Sequence, residues 1–170
     1  MNRIKTFLLC LALLGLAGIV TVAQAQTTPT PTINLACSQG IFKTHPEFIT
    51  GGSCFAAVST SSTVAAVFGT ASGIDSCVSN LTLLQALSAP VNQCGGGLPQ
   101  AELVLMKQVI TRQLNAINST PAACTSATAV MTTNNNAIAT AVATNNIDGL
   151  TSLATSIEKL NNDKPCPLGN

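Results

Sequence analysis

Cysteines at positions 37, 54, 77, 94, 124 and 166 constrain this chain more than any other feature, because no two of them are closer than 17 positions. Zinc sites are usually built from close pairs such as C-x2-C completed by further Cys or His. This chain has no such pair and a single histidine, His45. Thioredoxin-like redox chemistry needs a C-x-x-C with an activated thiolate, and that is absent too. What remains is a structural use. An even number of cysteines in an exported chain predicts three disulfides.

Export is predicted from the first 25 residues. Arg3 and Lys5 give a short positive region, residues 7–23 are almost wholly apolar, and "AQA" at 23–25 supplies small residues for cleavage before Gln26. That is the layout of a secretory signal peptide. The apolar run is short for a spanning helix, and no membrane span is expected after cleavage. Cys10 lies inside the run, away from the cleavage position, and is expected to leave with it. Residues 26–36 form a Thr/Pro-rich tail, which reads as extended. Residues 37–170 are expected to fold as a single helical domain, with halves 37–94 and 98–170 joined by the glycines of "CGGGLP".

Charge excludes one class of partner. Beyond residue 25 the basic residues are Lys43, Lys107, Arg112, Lys159 and Lys164. The acidic ones are Glu47, Asp75, Glu102, Asp148, Glu158 and Asp163. The balance is near neutral with no run of either sign, so the clustered cations that grip phosphates are missing and no nucleic acid partner is expected. Charged residues are 8% of the chain, against about 25% in ordinary soluble domains. The surface must therefore be built from Ser, Thr, Asn and Gln. Trp and Tyr are absent, so the core must be aliphatic.

Hydrophobic periodicity predicts five helices and no strands. The first begins after Ser53, a good N-cap, and stops at Gly69. The second runs from Ile74 to Leu87, with Val78, Leu81 and Leu84 on its apolar stripe. The third opens at Pro99, a favoured first helical position. Its stripe is Leu103, Met106, Ile110, Leu114 and Ile117, and Glu102 in its first turn suits the helix dipole. The fourth opens at Thr120 and Pro121 and carries Val130 and Ile138, with Asn134, Asn135 and Asn136 as a weak point. The fifth follows the turn at Asn145 and Asn146 and carries Leu150, Leu153, Ile157 and Leu160. The fold class is all-α: a disulfide-stapled bundle of about five helices, mostly antiparallel neighbours. The striped residues Val78, Leu81, Leu84, Leu103, Met106, Ile110, Leu114, Val130, Ile138, Leu153 and Ile157 are expected either to fill the core or to line a site for a hydrophobic ligand.

Six cysteines allow 15 connectivities. If the first two helices form an antiparallel hairpin, Cys54 and Cys94 meet at one end and Cys77 meets Cys37 at the other. Cys124 and Cys166 flank the last helix pair at one end. The expected pairs are then Cys37–Cys77, Cys54–Cys94 and Cys124–Cys166.

Catalytic signals are poor. His45 lies in a loop before Pro46, beside Glu47. "GGSCF" at 51–55 lacks the second glycine of G-x-S-x-G. "SIEK" at 156–159 matches S-x-x-K without its companion motifs. No catalytic residue, metal ligand or cofactor is assigned, and the chain is expected not to be an enzyme. Asn80 and Asn118 open N-glycosylation sequons. The reading is a secreted extracellular interaction, matrix or effector-type protein with an unidentified extracellular partner. The alternative is a carrier of a small apolar ligand, a lipid or sterol, between helices.

Overall fold

The computed structural model describes residues 36–50, 58–69, 73–119, 123–166 and 168, with the backbone alone for 123–127. All belong to one unit, Pro31–Asn170. The expected signal peptide and nearly all of the tail lie outside the described residues. So do Cys54 and the start of the first predicted helix. The side chain of Cys124 is likewise outside them.

The described residues are helical, with no strands. The elements are α1 (Gln39–Thr44), a 3-10 turn (Pro46–Phe48), α2 (Val64–Phe68), α3 (Ser76–Ser79), α4 (Leu83–Ser88), α5 (Leu98–Asn118), α6 (Ala123–Ala143) and α7 (Ile147–Asn161). The all-α bundle read from periodicity is the observed fold class.

The first half differs from expectation in a local way. The first predicted helix is reduced to α2 among the described residues, because the hydroxyls of "STSST" bond one another and the backbone. The Ser62 hydroxyl accepts from the Ser59 N–H at 3.0 Å, and Ser59 and Ser62 share a hydroxyl contact at 2.9 Å. Such local bonds compete with a helical turn. Thr63 then caps α2 by accepting from the Ala66 N–H at 3.1 Å, and Gly69 ends it at φ 71°.

The second predicted helix is two. Thr82 and Gln85 form a reciprocal capping box, with Thr82 Oγ1 accepting from the Gln85 N–H and Gln85 Oε1 from the Thr82 N–H. That box starts a new helix at Leu83. The break is held by an antiparallel bridge between Thr63 and Thr82, in which Val64 N–H meets Leu81 O and Leu83 N–H meets Ser62 O, each at 2.9 Å.

The second half is simpler. α5 starts one residue before Pro99, behind Gly97 at φ 68°. α6 passes through Asn134, Asn135 and Asn136 without a break. Asn136 lies toward solvent and Asn135 is half-buried, while Asn134, Ile138 and Val142 hold the inner face. Asn145 at φ 50° turns the chain, and Asn146 caps α7 by accepting from the Gly149 N–H at 3.1 Å.

α5 is the axis of the domain. It packs against α1, α3, α4, α6 and α7, and its residues 101–103 and 105–107 are all buried, as are 109–116. Of the striped residues expected in the core, Val78, Leu103, Met106, Ile110, Leu114, Val130, Ile138 and Ile157 are buried. Leu81, Leu84 and Leu153 are partly buried against them. Each fully buried aliphatic side chain contributes about 1.5–3 kcal/mol.

The disulfides correct the expected pairing. Cys37 is bonded to Cys166, with Cα atoms 4.6 Å apart. Cys77 is bonded to Cys94, with Cα atoms 5.7 Å apart. Each sulfur forms one such bond, so Cys37–Cys77, Cys54–Cys94 and Cys124–Cys166 are all excluded. The reason is the break at Asn80. An unbroken second helix would have carried Cys77 and Cys94 to opposite ends of a rod. α4 has only 6 residues, about 9 Å of rise, and the turn at 91–94 brings Cys94 back to Cys77. Non-reduced peptide mapping is expected to recover Cys37–Cys166 and Cys77–Cys94. Removing both cysteines of a pair should cost about 5 kcal/mol for the long loop and about 3 kcal/mol for the short one by chain entropy, read by urea unfolding.

Candidate functional site

The core of this bundle contains polar side chains in unusual number for so aliphatic a chain. Glu102, Lys107, Thr111, Arg112, Gln113 and Asn115 on α5 are buried, as are Asn134 on α6 and Asn161 on α7. Buried polar groups need partners, and the partners sort these residues by role.

One set is a seam that ties the two ends of the domain to α5. Asn115 Oδ1 accepts from the Cys37 N–H at 2.8 Å, and Asn115 Nδ2 donates to the Cys37 carbonyl at 2.9 Å. The same Nδ2 reaches Asn161 Oδ1 at 3.4 Å. Asn161 Nδ2 donates to the Gln108 carbonyl at 3.0 Å. Arg112 Nη1 donates to the Leu160 carbonyl at 3.1 Å, and Lys107 Nζ donates to the Ala89 carbonyl. Both cations meet carbonyls at helix C-terminal ends, where positive charge is favoured. Burial lowers the pKa of Lys107 and of Arg112.

Satisfied and unsatisfied amides are expected to behave oppositely. Asn115→Leu leaves the Cys37 backbone without partners and should cost about 2–4 kcal/mol. Asn134 is buried with its Nδ2 unpaired inside a helix, so Asn134→Leu should be neutral or stabilising by up to about 1 kcal/mol. Chemical unfolding of the two variants checks the pair.

Glu102 is the exception to the seam. The expectation placed it in the first helical turn, where it would suit the helix dipole. Instead it is one turn into α5, 1% exposed. Its Oε2 accepts from the Asp75 N–H at 2.7 Å, while its Oε1 has no partner. Asp75 is itself the cap of α3, accepting from the Cys77 N–H at 2.7 Å. Beside Glu102 lies a narrow crevice lined by Ile74, Glu102, Leu105, Met106, Ile138 and Val142, with no room for a water molecule. Gly73 closes its rim. It has φ +117°, and a Cβ there would lie 2.7 Å from Val142 Cγ1, so the loop approaches α6 as closely as glycine allows. Met106 and Ile138 are the two striped residues that meet here.

Burial raises the Glu102 carboxyl above its ordinary pKa; the Asp75 N–H bond opposes this and the Asp75 charge adds to it. A raised folded-state pKa means stability that is full at low pH and lost as pH rises through that pKa. Glu102→Gln keeps an oxygen for the Asp75 N–H and cannot ionise. The melting temperature of this variant relative to the parent should therefore rise as pH climbs above the ordinary carboxylate range and the parent's carboxyl ionises. A difference independent of pH would show that the carboxyl titrates as in water.

The remaining sites read from sequence stay apart. His45 Nδ1 pairs with Glu47 Oε1 at 2.9 Å on the surface; the Glu47 pKa is lowered by a hydrogen bond to its own backbone and then by His45. Ser156 donates to the Ser152 carbonyl at 2.9 Å on the exposed face of α7. "GGSCF" lies outside the described residues. Among the described residues, no three His, Cys, Asp or Glu side chains gather as a metal ion requires, and no helix is long and apolar enough to cross a membrane. Asn80 is exposed at the end of α3. Asn118 is not free: its Nδ2 donates to the Phe48 carbonyl at 3.1 Å and to the Leu114 carbonyl at 2.9 Å.

Sequence reasoning missed the Glu102 site. Its signal was present, since Glu102 stands four residues before Met106 and eight before Ile110, on the stripe itself. The architecture defines a disulfide-stapled all-helical bundle. No family model, curated protein or solved structure matches this chain.

Proposed function

We propose that this is a secreted, non-enzymatic interaction protein that acts through an uncharged hydroxyl and amide surface. One observation carries the reading. α6 has no charged residue in its 21 positions, and the outer faces of α6 and α7 present Thr132, Thr140, Thr151 and Thr155. Their hydroxyls donate back to backbone carbonyls four residues earlier, at 2.9–3.0 Å. The donors are spent inward, so methyl groups and oxygen lone pairs face outward. Such a surface loses little hydration free energy when covered, unlike one of Lys and Glu. Extracellular placement is supported by the two disulfides, which persist in oxidising compartments.

The carrier alternative for a lipid or sterol draws less support. The crevice at Glu102 is too narrow to admit a water molecule, whereas drug-sized ligands occupy roughly 300–1,000 Å³.

Native mass spectrometry of the secreted protein tests the reading. A ligand-free mass, together with saturable binding of the labelled protein to extracellular material that is abolished by reducing its disulfides, is the expected result. A lipid or sterol released on denaturation, near one per chain, would replace the reading with the carrier. In a glycosylating host, Asn80 is expected to carry a glycan and Asn118 to remain bare, because its amide nitrogen already holds Phe48 and Leu114. Asn80→Gln should then remove all N-glycan mass, and a residual glycan would place it on Asn118.

A further inference from the structure

We infer that the Cys77–Cys94 bond is a thiol-exchange latch, which a dithiol opens to free the 90–97 loop while the Cys37–Cys166 bond keeps the bundle closed. The two bonds differ in what their sulfurs touch. Cys37 is 0% exposed within the aliphatic core, and its backbone N–H and carbonyl are both held by Asn115. A thiol attacking Cys166 must expel the Cys37 thiolate into that core, where desolvation raises its pKa and makes it a poor leaving group. Cys77 and Cys94 are both partly exposed, so either sulfur can depart into water. Exposed disulfides of this kind are the labile ones.

The surroundings let this bond open without disturbing the core. Residues 90–93 and 95–97 are exposed. Their turns are closed by the loop's own bonds, from the Gln93 N–H to the Pro90 carbonyl at 3.0 Å and from the Gly95 N–H to the Asn92 carbonyl at 3.1 Å. The ends are fixed independently of sulfur: Lys107 Nζ holds the Ala89 carbonyl, and Leu98 opens α5. Cys77 stays on α3 through its cap Asp75, whose N–H is bound to Glu102. The attack falls on Cys94. Gly95, Gly96 and Gly97 leave open space beside it, with nothing within 4 Å of where a Cβ would stand, whereas the Asp75 carboxylate at the Cys77 N–H repels an anionic thiolate. The first thiolate of the dithiol bonds to Cys94 Sγ as the Cys77–Cys94 bond breaks, and Cys77 leaves as a thiolate that takes a proton from water. The second thiol gives its proton to water and displaces Cys94, which is protonated in turn. Two electrons thus pass from the dithiol, now a disulfide, to the protein, now two thiols. The pinned loop ends keep these thiols close, so a small disulfide closes the latch by the reverse steps.

The test is timed reduction of the native, disulfide-intact protein with dithiothreitol, quenched by N-ethylmaleimide and followed by peptide mapping. Cys77 and Cys94 are expected to be labelled together, at least about tenfold faster than Cys37 and Cys166. Hydrogen exchange of the partly reduced protein should quicken at the amides of 91–97 and stay unchanged along α5. A monothiol, glutathione, should be trapped as a mixed disulfide on Cys94. Equal labelling of the two pairs, or earlier labelling of Cys37 and Cys166, would overturn the latch, as would faster exchange spreading into α5. A mixed disulfide on Cys77 would overturn the direction of attack. The double variant Cys77→Ser, Cys94→Ser should reproduce the exchange pattern of the reduced loop. The labelling rates of the parent protein decide the matter even where that variant fails to fold.

Discussion

The side-chain amide of Asn115 does for Cys37 what a neighbouring strand would do, accepting from its N–H and donating to its carbonyl. Through Asn161 the same group reaches α7. The Cys37–Cys166 bond is placed by this contact, because the backbone at Cys37 is fixed against the last turn of α5 before any sulfur is considered. A buried amide of this kind tolerates no sliding: a shift of α5 by one residue would leave a backbone donor and acceptor unpaired in the core. The register of the central helix, and with it the position of Met106 and Glu102 against α6, follows from it.

A helix enclosed on all sides sets a compositional problem, and the polar residues of α5 are its solution. Wholly aliphatic α5 faces would pack without fixing which neighbour goes where. Arg112 and Lys107 instead reach named carbonyls at the ends of α7 and α4. Each bond is geometrically demanding and each identifies one neighbour. Lys107 and Arg112 are spent on internal positioning, while α6 carries no charged residue at all.

The long helices were legible in the sequence because their stripes extend over several turns and their caps are strong: Pro99 and the Asn145–Asn146 turn mark α5 and α7 within a residue or so. The short ones were not. The stripe of Val78, Leu81 and Leu84 is as regular as any, yet Thr82 caps a new helix in its middle. A four-residue cap competes on equal terms with a stripe only three turns long. The disulfide pairing failed with that helix, since a hairpin that carries Cys77 and Cys94 to opposite ends needs the second helix unbroken. The burial of Glu102 was missed for a different reason. An acid near a helix start has a ready surface role, and only the loop at Asp75, distant in sequence, gives it a buried one.

The bond between Cys37 and Cys166 spans 129 positions of the chain and encloses every described helix. A tensile load applied across the domain along the chain therefore runs from residue 37 straight to residue 166 through two sulfur atoms. The helices hang from that link as a pendant hangs from a cord, carrying none of the tension. Hydrogen bonds and apolar packing fail at modest force, while a covalent link does not. A molecule held between two anchors in this way would keep α6 and α7 folded while being pulled, until the link is reduced.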